Sequence, residues 1–165
     1  MSSESKLDRT TIISDDQLYR YTLWREFDLT NYGKVAMFLC LNPSVADAQI
    51  DDPTVRRCID FAKRFGCGAL AVVNLFAYRS TDPILMKSVS DPIGPENDYW
   101  LRTIASQADI VIAAWGVHGK HLGRDAEVSA FLPQLHCLGT TKDGSPRHPL
   151  YVRADTKLEP FSIAA

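Results

Sequence analysis

The sequence predicts an α/β fold: a three-layer α/β/α sandwich built on a central, mainly parallel four-stranded sheet, with an additional strand at its N-terminal edge. Two observations carry this. The segments "KVAMFLCLN" (34–42) and "ALAVVNLFAY" (69–78) are apolar at both odd and even positions, the pattern of a strand covered on both faces. They alternate along the chain with helix-length segments, and strands joined through helices run parallel by right-handed crossovers. A length of 165 residues suits one domain over 1–165, and 45% hydrophobic with 23% charged residues argues against extensive disorder.

The elements follow in order. Residues 1–16 read as a polar tail. "QLYRYTLWREF" (17–27) is rich in aromatic and β-branched residues and reads as an edge strand, closed by a turn at Asn31 and Gly33. The first buried strand covers 35–42. In the helix that follows, Asp52 caps, Pro53 suits the first turn, Val55, Ile59 and Ala62 share a face, and Gly66 ends it. A second buried strand covers 69–75, and a helix runs from about Pro95 through "ENDYWLRTIASQA". A third strand covers 109–115. A helix near "GRDAEVSAFLPQL" makes the last connection, to a fourth strand at 135–140. Tyr19, Tyr21, Trp24 and Trp100 read as core or edge packing, and Arg56, Arg57, Lys63 and Arg64 as a solvated helix face. There is no internal repeat and no linker.

Composition narrows the function. No apolar run approaches the roughly 20 residues of a membrane helix, and the polar start lacks a signal-peptide core, so the chain reads as cytoplasmic with no membrane partner. The four cysteines, Cys40, Cys58, Cys67 and Cys137, have no CxxC spacing and read as buried free thiols. A net charge of −2 gives no strong nonspecific attraction to nucleic acid, although a local basic groove is compatible with it.

In an open parallel sheet, ligands bind at the carboxyl ends of the strands. Here the first strand ends on Asn42-Pro43-Ser44, the second on Asn74-Leu75-Phe76 and the third on Trp115-Gly116, while the fourth leads into "TTKDGSPRHPLYV". Each signal has a plainer reading. Asn-Pro initiates turns, Asn74 can be a core amide bonded to backbone, and Asp52 a helix cap. Asp47, Asp51 and Asp52 could surround magnesium, or cap and solvate a loop. His118 and His121 have H-x-x-H spacing but no adjacent glutamate, a weak zinc signal. The coincidence of four strand-end signals favours a site.

The order "FLCLNPS", "GALAVVNLFAYRS", "IVIAAWGVHGK", "LHCLGTT…SPRHPLYV" resembles the uracil-DNA glycosylase superfamily over about 34–153. The segments "LNPS", "DDPT", "NLFAYR" and "SPRHPLY" resemble still more closely an uncharacterised bacterial and phage domain family to which no activity is attached. The first resemblance implies a DNA glycosylase-like hydrolase that uses neither metal nor organic cofactor, flips a modified or mismatched base and cleaves its N-glycosidic bond. Asn42 then positions the attacking water and His148 donates to the departing base as the catalytic pair. Pro43 and Ser44 shape the adjoining loop, Asn74 reads the edge of the base, Phe76 stacks on it, the loop from Gly116 to Lys120 approaches a phosphate, and Ser145 and Arg147 belong to the late motif. The chain departs from the H-P-S-P pattern. "DGSPR" puts Asp143 in the histidine's place, while "RHPL" keeps His148-Pro149 by an insertion, and Cys40 stands where the first motif has glycine.

The partner is DNA or a nucleotide, and the oligomeric state is left open. For DNA, Lys120, Arg124, Lys142, Arg147 and Arg153 are expected to form a basic rim. Two alternatives stay open: an enzyme acting on a free nucleotide or a modified phage base, and a noncatalytic nucleic-acid-binding module of the same fold.

Overall fold

The structure is a computed structural model and describes residues 11–28, 33–44, 51–132 and 134–163. The chain opens with β1 (Ile12–Ile13) and β2 (Arg20–Glu26), then β3 (Val35–Cys40), α1 (Pro53–Arg64) and β4 (Ala69–Asn74). Next come the short α2 (Pro83–Ser88), α3 (Asn97–Ala105), β5 (Ile110–Ala113) and α4 (Arg124–Phe131). The last strands are β6 (Leu135–Cys137) and β7 (Glu159–Pro160). All belong to a mixed α/β arrangement with one seven-stranded sheet, ordered β1-β2-β4-β3-β5-β6-β7.

The central four strands, β4-β3-β5-β6, are mutually parallel, and the flanking pairs are antiparallel. Every residue of β3 and β4 is buried, and the two parities separate cleanly. Val35, Met37 and Leu39 join Ala71 and Val73 in one core. Ala36, Phe38 and Cys40 join Leu70 and Val72 in the other. Against the second core α1 sets Val55, Cys58, Phe61 and Ala62, a helical stripe of spacing three to four. Against the first lie Met86 of α2, Leu101 and Ile104 of α3, and Val128 of α4. Helices thus cover both faces of β3 and β4, which is the physical reason those strands carry apolar residues at every position.

The sheet differs from the expected four strands plus an edge strand. Residues 17–27 do supply β2, but Ile12–Ile13, expected within the polar tail, form β1 and pair beyond it, so β2 is an interior strand. At the opposite side β7 adds antiparallel to β6. Two-residue strands carry no measurable period, so neither shows in the sequence. Helix α1 is capped as expected: Asp52 Oδ1 accepts from Val55 N at 2.8 Å. Its inner face is Val55, Cys58, Phe61 and Ala62, with Ile59 at the margin. Helix α2, capped by Asp82, was not foreseen, and the stretch from Gly116 to Gly123 is a 3-10 segment broken by a kink at His121 and Leu122 before α4. All four cysteines are free and buried. Asn31 and Asp47 lie outside the described residues. Among the described residues no helix is long and apolar enough to cross a membrane.

Register brings the strand ends together. Cys40 pairs with Asn74, Leu39 with Ala113, and Ala113 with Cys137, so the parallel strands finish at a common rim. The chain passes from β3 to β4 on one side and returns to β5 on the other. This reversal of strand order leaves a crevice at the carboxyl ends of β3 and β5.

Candidate functional site

The loops at this rim are tied to one another by backbone hydrogen bonds. Leu75 N donates to Cys40 O (2.9 Å), Ser80 N to Pro43 O (2.9 Å), Gly116 N to Pro146 O (2.9 Å) and Arg147 N to Gly139 O (2.9 Å). Between them opens a cleft of about 690 Å³, within the range of small-molecule sites. Asn42, Pro43 and Ser44 line one side, Asn74 and Trp115 contribute from the ends of β4 and β5, and Gly116, Arg147 and His148 complete the far wall.

At Asn42 the side-chain Nδ2 donates to Ser80 O (2.8 Å) and Pro43 O (3.3 Å). Both donor hydrogens are thereby committed to backbone, and Oδ1 is the atom left to face a ligand as an acceptor. Asn74 is the reverse case. Its residue is 2% exposed, and its Nδ2 has no hydrogen-bond partner among the described residues. Its backbone is fixed, since Asn97 Nδ2 donates to Asn74 O (2.9 Å) and Leu75 O (3.1 Å), and Arg124 Nε to Leu75 O (2.8 Å). A rigid strand end at the cleft therefore carries a buried, unsatisfied donor, at a desolvation cost of about 1–3 kcal/mol unless a ligand meets it.

His148 caps the short 3-10 turn Pro149–Tyr151, its Nδ1 accepting from Leu150 N at 3.2 Å. That bond leaves Nε2 as the protonated nitrogen of the neutral ring. Burial pulls the His148 pKa below its ordinary value, against the opposing pull of the Asp52 carboxylate. A neutral imidazole with its proton on Nε2 results. The late loop carrying it is tied to α1 by Arg57, whose guanidinium donates to Pro149 O (3.2 Å) and to Val152 O. Arg57 is therefore a strut and not part of a solvated face.

Other expected site residues are placed elsewhere. Phe76 is fully buried in the sheet core beside the His121 ring (5.5 Å between centroids), so no ring face is available to stack on a base. Ser145 is buried in the late turn, its N bonded to Asp143 Oδ1 (3.2 Å), and is outside the cleft wall. The basic rim is reduced. Arg124 has no exposed side-chain surface and pairs with Asp98 (2.6 Å) and Glu127, while Lys120 and Arg153 are paired with Asp143 (3.5 Å) and Asp155 (3.1 Å). Asp51 pairs with Arg25 at 2.7 Å, and Asp52 caps α1. Among the described residues no three potential ligands gather into a metal site.

Some cleft residues escaped the sequence, and Arg20 is the charged one among them. Arg20, the first residue of β2, lines the cleft yet is only 3% exposed. The signal was a charged residue inside an aromatic strand, which reads as solvent-facing only if that strand lies at the sheet edge. Trp115 was noted as a strand end, and here it walls the cleft and stands edge-on to Phe161 (5.5 Å between centroids).

The model of one protein family, described as a protein of unknown function (DUF1643), matches residues 20–150. That span opens on Arg20 and contains every cleft residue named above. No curated protein and no solved structure matches the chain.

Proposed function

We propose, for a chain that belongs to the DUF1643 family, that the cleft binds a nucleobase and that the protein hydrolyses its N-glycosidic bond, in the manner of the uracil-DNA glycosylases its strand-end motifs resemble. The observation that carries this reading is the Asn74 amide, buried at the cleft with its Nδ2 unpartnered. An amide offers a donor and an acceptor side by side, matching the carbonyl and ring N–H on the edge of a base such as uracil. Helices on both faces of a parallel sheet, the layering of an α/β/α sandwich, also agree with it.

In this reading Asn42 Oδ1 accepts a hydrogen bond from the attacking water, since its Nδ2 is held by Ser80 and Pro43. An amide cannot take up the proton, so the water is oriented and not ionised. The C–N bond breaks first, its electron pair passes to the base, and His148 Nε2–H stabilises the negative oxygen that develops there. Water then adds to the sugar carbon and releases its proton to solvent. The partner is DNA with the target base flipped out of the stack. A free nucleotide is the second reading, favoured by the pairing or burial of three of the five expected rim cations.

A base-release assay tests the proposal, using duplex and single-stranded oligonucleotides that carry uracil, hydroxymethyluracil, hypoxanthine or mismatches, alongside the corresponding nucleotides. Release of at least one base, lost in Asn42→Ala, is expected. Intact substrates across the whole panel would contradict it.

A further inference from the structure

Arg20 is a cation buried at the cleft. It is 3% exposed, and among the described residues its Nε has no hydrogen-bond partner and it forms no ion pair. Asp52, the acidic side chain that acts on it, is already engaged, with Oδ1 accepting from Val55 N (2.8 Å) and Oδ2 from Ser44 Oγ (3.2 Å). Arg25 and Arg79 add further positive charge nearby. A guanidinium so placed is costly to the empty protein, and its planar fork is suited to carboxylate or phosphate oxygens.

Topology sets it next to the base-reading amide. Because β2 runs antiparallel to β4, its first residue lies beside the carboxyl end of β4, where Arg20 N donates to Ala77 O (2.9 Å) and Asn74 emerges. Both side chains line the same cleft, as does Arg147. We propose that the cleft takes a phosphorylated ligand, with Arg20 binding the phosphate of a nucleotide, free or within a nucleic-acid backbone, while Asn74 reads its base. This deepens the nucleobase reading and rests on it for the second half.

The test is calorimetric binding of 2′-deoxynucleoside 5′-monophosphates, the matching nucleosides, ribose 5-phosphate and single-stranded oligonucleotides to wild type, Arg20→Met and Arg20→Lys. Wild type should bind a phosphorylated ligand about tenfold or more tightly than the nucleoside, the gain of a charge-assisted hydrogen bond. Arg20→Met should fall to the nucleoside level and Arg20→Lys should keep part of the gain. The tighter of monophosphate and oligonucleotide identifies the source of the phosphate. Without ligand, Arg20→Met should melt no lower than wild type, since it removes an unpaired buried charge. Ribose 5-phosphate binding as well as any nucleotide, with loss in Arg20→Met, would keep the anion site and sink the base reading. Equal wild-type affinity for nucleoside and phosphorylated ligands, a phosphate gain that survives Arg20→Met, no binding by any probe, or an Arg20→Met variant that melts far below wild type would each overturn the anion site.

Discussion

At the residue scale, the two asparagines of the cleft are distinguished by which of their atoms the protein already uses. Asn42 has its donors committed and offers an acceptor, whereas Asn74 has a donor in want of a partner. Their substitutions should therefore differ. Asn42→Ala should slow base release by about 10²–10⁴ with ligand affinity nearly unchanged, the mark of an interaction that acts in the transition state. In Asn74→Asp a donor becomes an acceptor, repelling the uracil carbonyl and accepting the amino group of cytosine. Preference should shift toward cytosine by about 1–3 kcal/mol, readable as a changed ratio of rates on the two substrates. His148 supplies a pH signature. Its pKa is lowered by burial, so between that value and the ordinary 6.5 the unfolded chain binds the proton and the folded chain does not. Stability is therefore lost as the pH falls from 6.5 through the lowered pKa, and is unaffected above that window. Urea unfolding at pH 7.5 and 5 should show a larger loss for wild type than for His148→Asn.

At the element scale, the cleft depends on supports that touch no ligand. Arg124 at the start of α4 holds Leu75 O and reaches Asp98 of α3, joining two helices to the end of β4. Arg124→Met should destabilise the protein by about 1–3 kcal/mol, because it removes a charge-assisted hydrogen bond from a buried carbonyl, leaving Leu75 O with the Asn97 bond alone, while Asp98 and Glu127, each about half exposed, can turn to water. Urea unfolding midpoints give the comparison. Gly119 in the 3-10 segment is a second support, since a Cβ there would collide with the Trp115 indole, which is itself pinned against Phe161. Gly119→Ala should cost about 1–3 kcal/mol by overpacking and alter Trp115 fluorescence. Element-scale order was largely readable in the sequence. The double-parity apolar runs of β3 and β4 and the Asp52-Pro53 start of α1 each follow from one local rule. Arg124 was not readable, because a helix-start arginine looks like surface charge until the helix it faces is known. Phe76 was misread as a stacking ring for a related reason: residues just beyond a strand end belong to the rim or to the core according to the packing of α2 and α4, which sequence spacing does not fix.

At the scale of the whole molecule, a reversal of strand order between β3 and β5 concentrates amides, an imidazole and a buried guanidinium at one end of the sheet. The four parallel strands are those the sequence implies, and the strand ends that line the cleft follow from them. What lay beyond the sequence were the two-residue strands β1 and β7 and, through β1, the interior position of β2 that buries Arg20. The most direct measurement of the central claim is a titration of ¹⁵N-labelled protein with free bases, nucleosides and nucleotides, followed through its side-chain amide and indole resonances. A nucleobase seated in the cleft should move the Asn74 side-chain NH₂ and the Trp115 indole N–H together and saturably, while the Asn97 NH₂, bonded to Asn74 O and Leu75 O, shifts far less. Shifts confined to another surface, or an Asn74 amide unmoved by every base in the panel, would contradict the account.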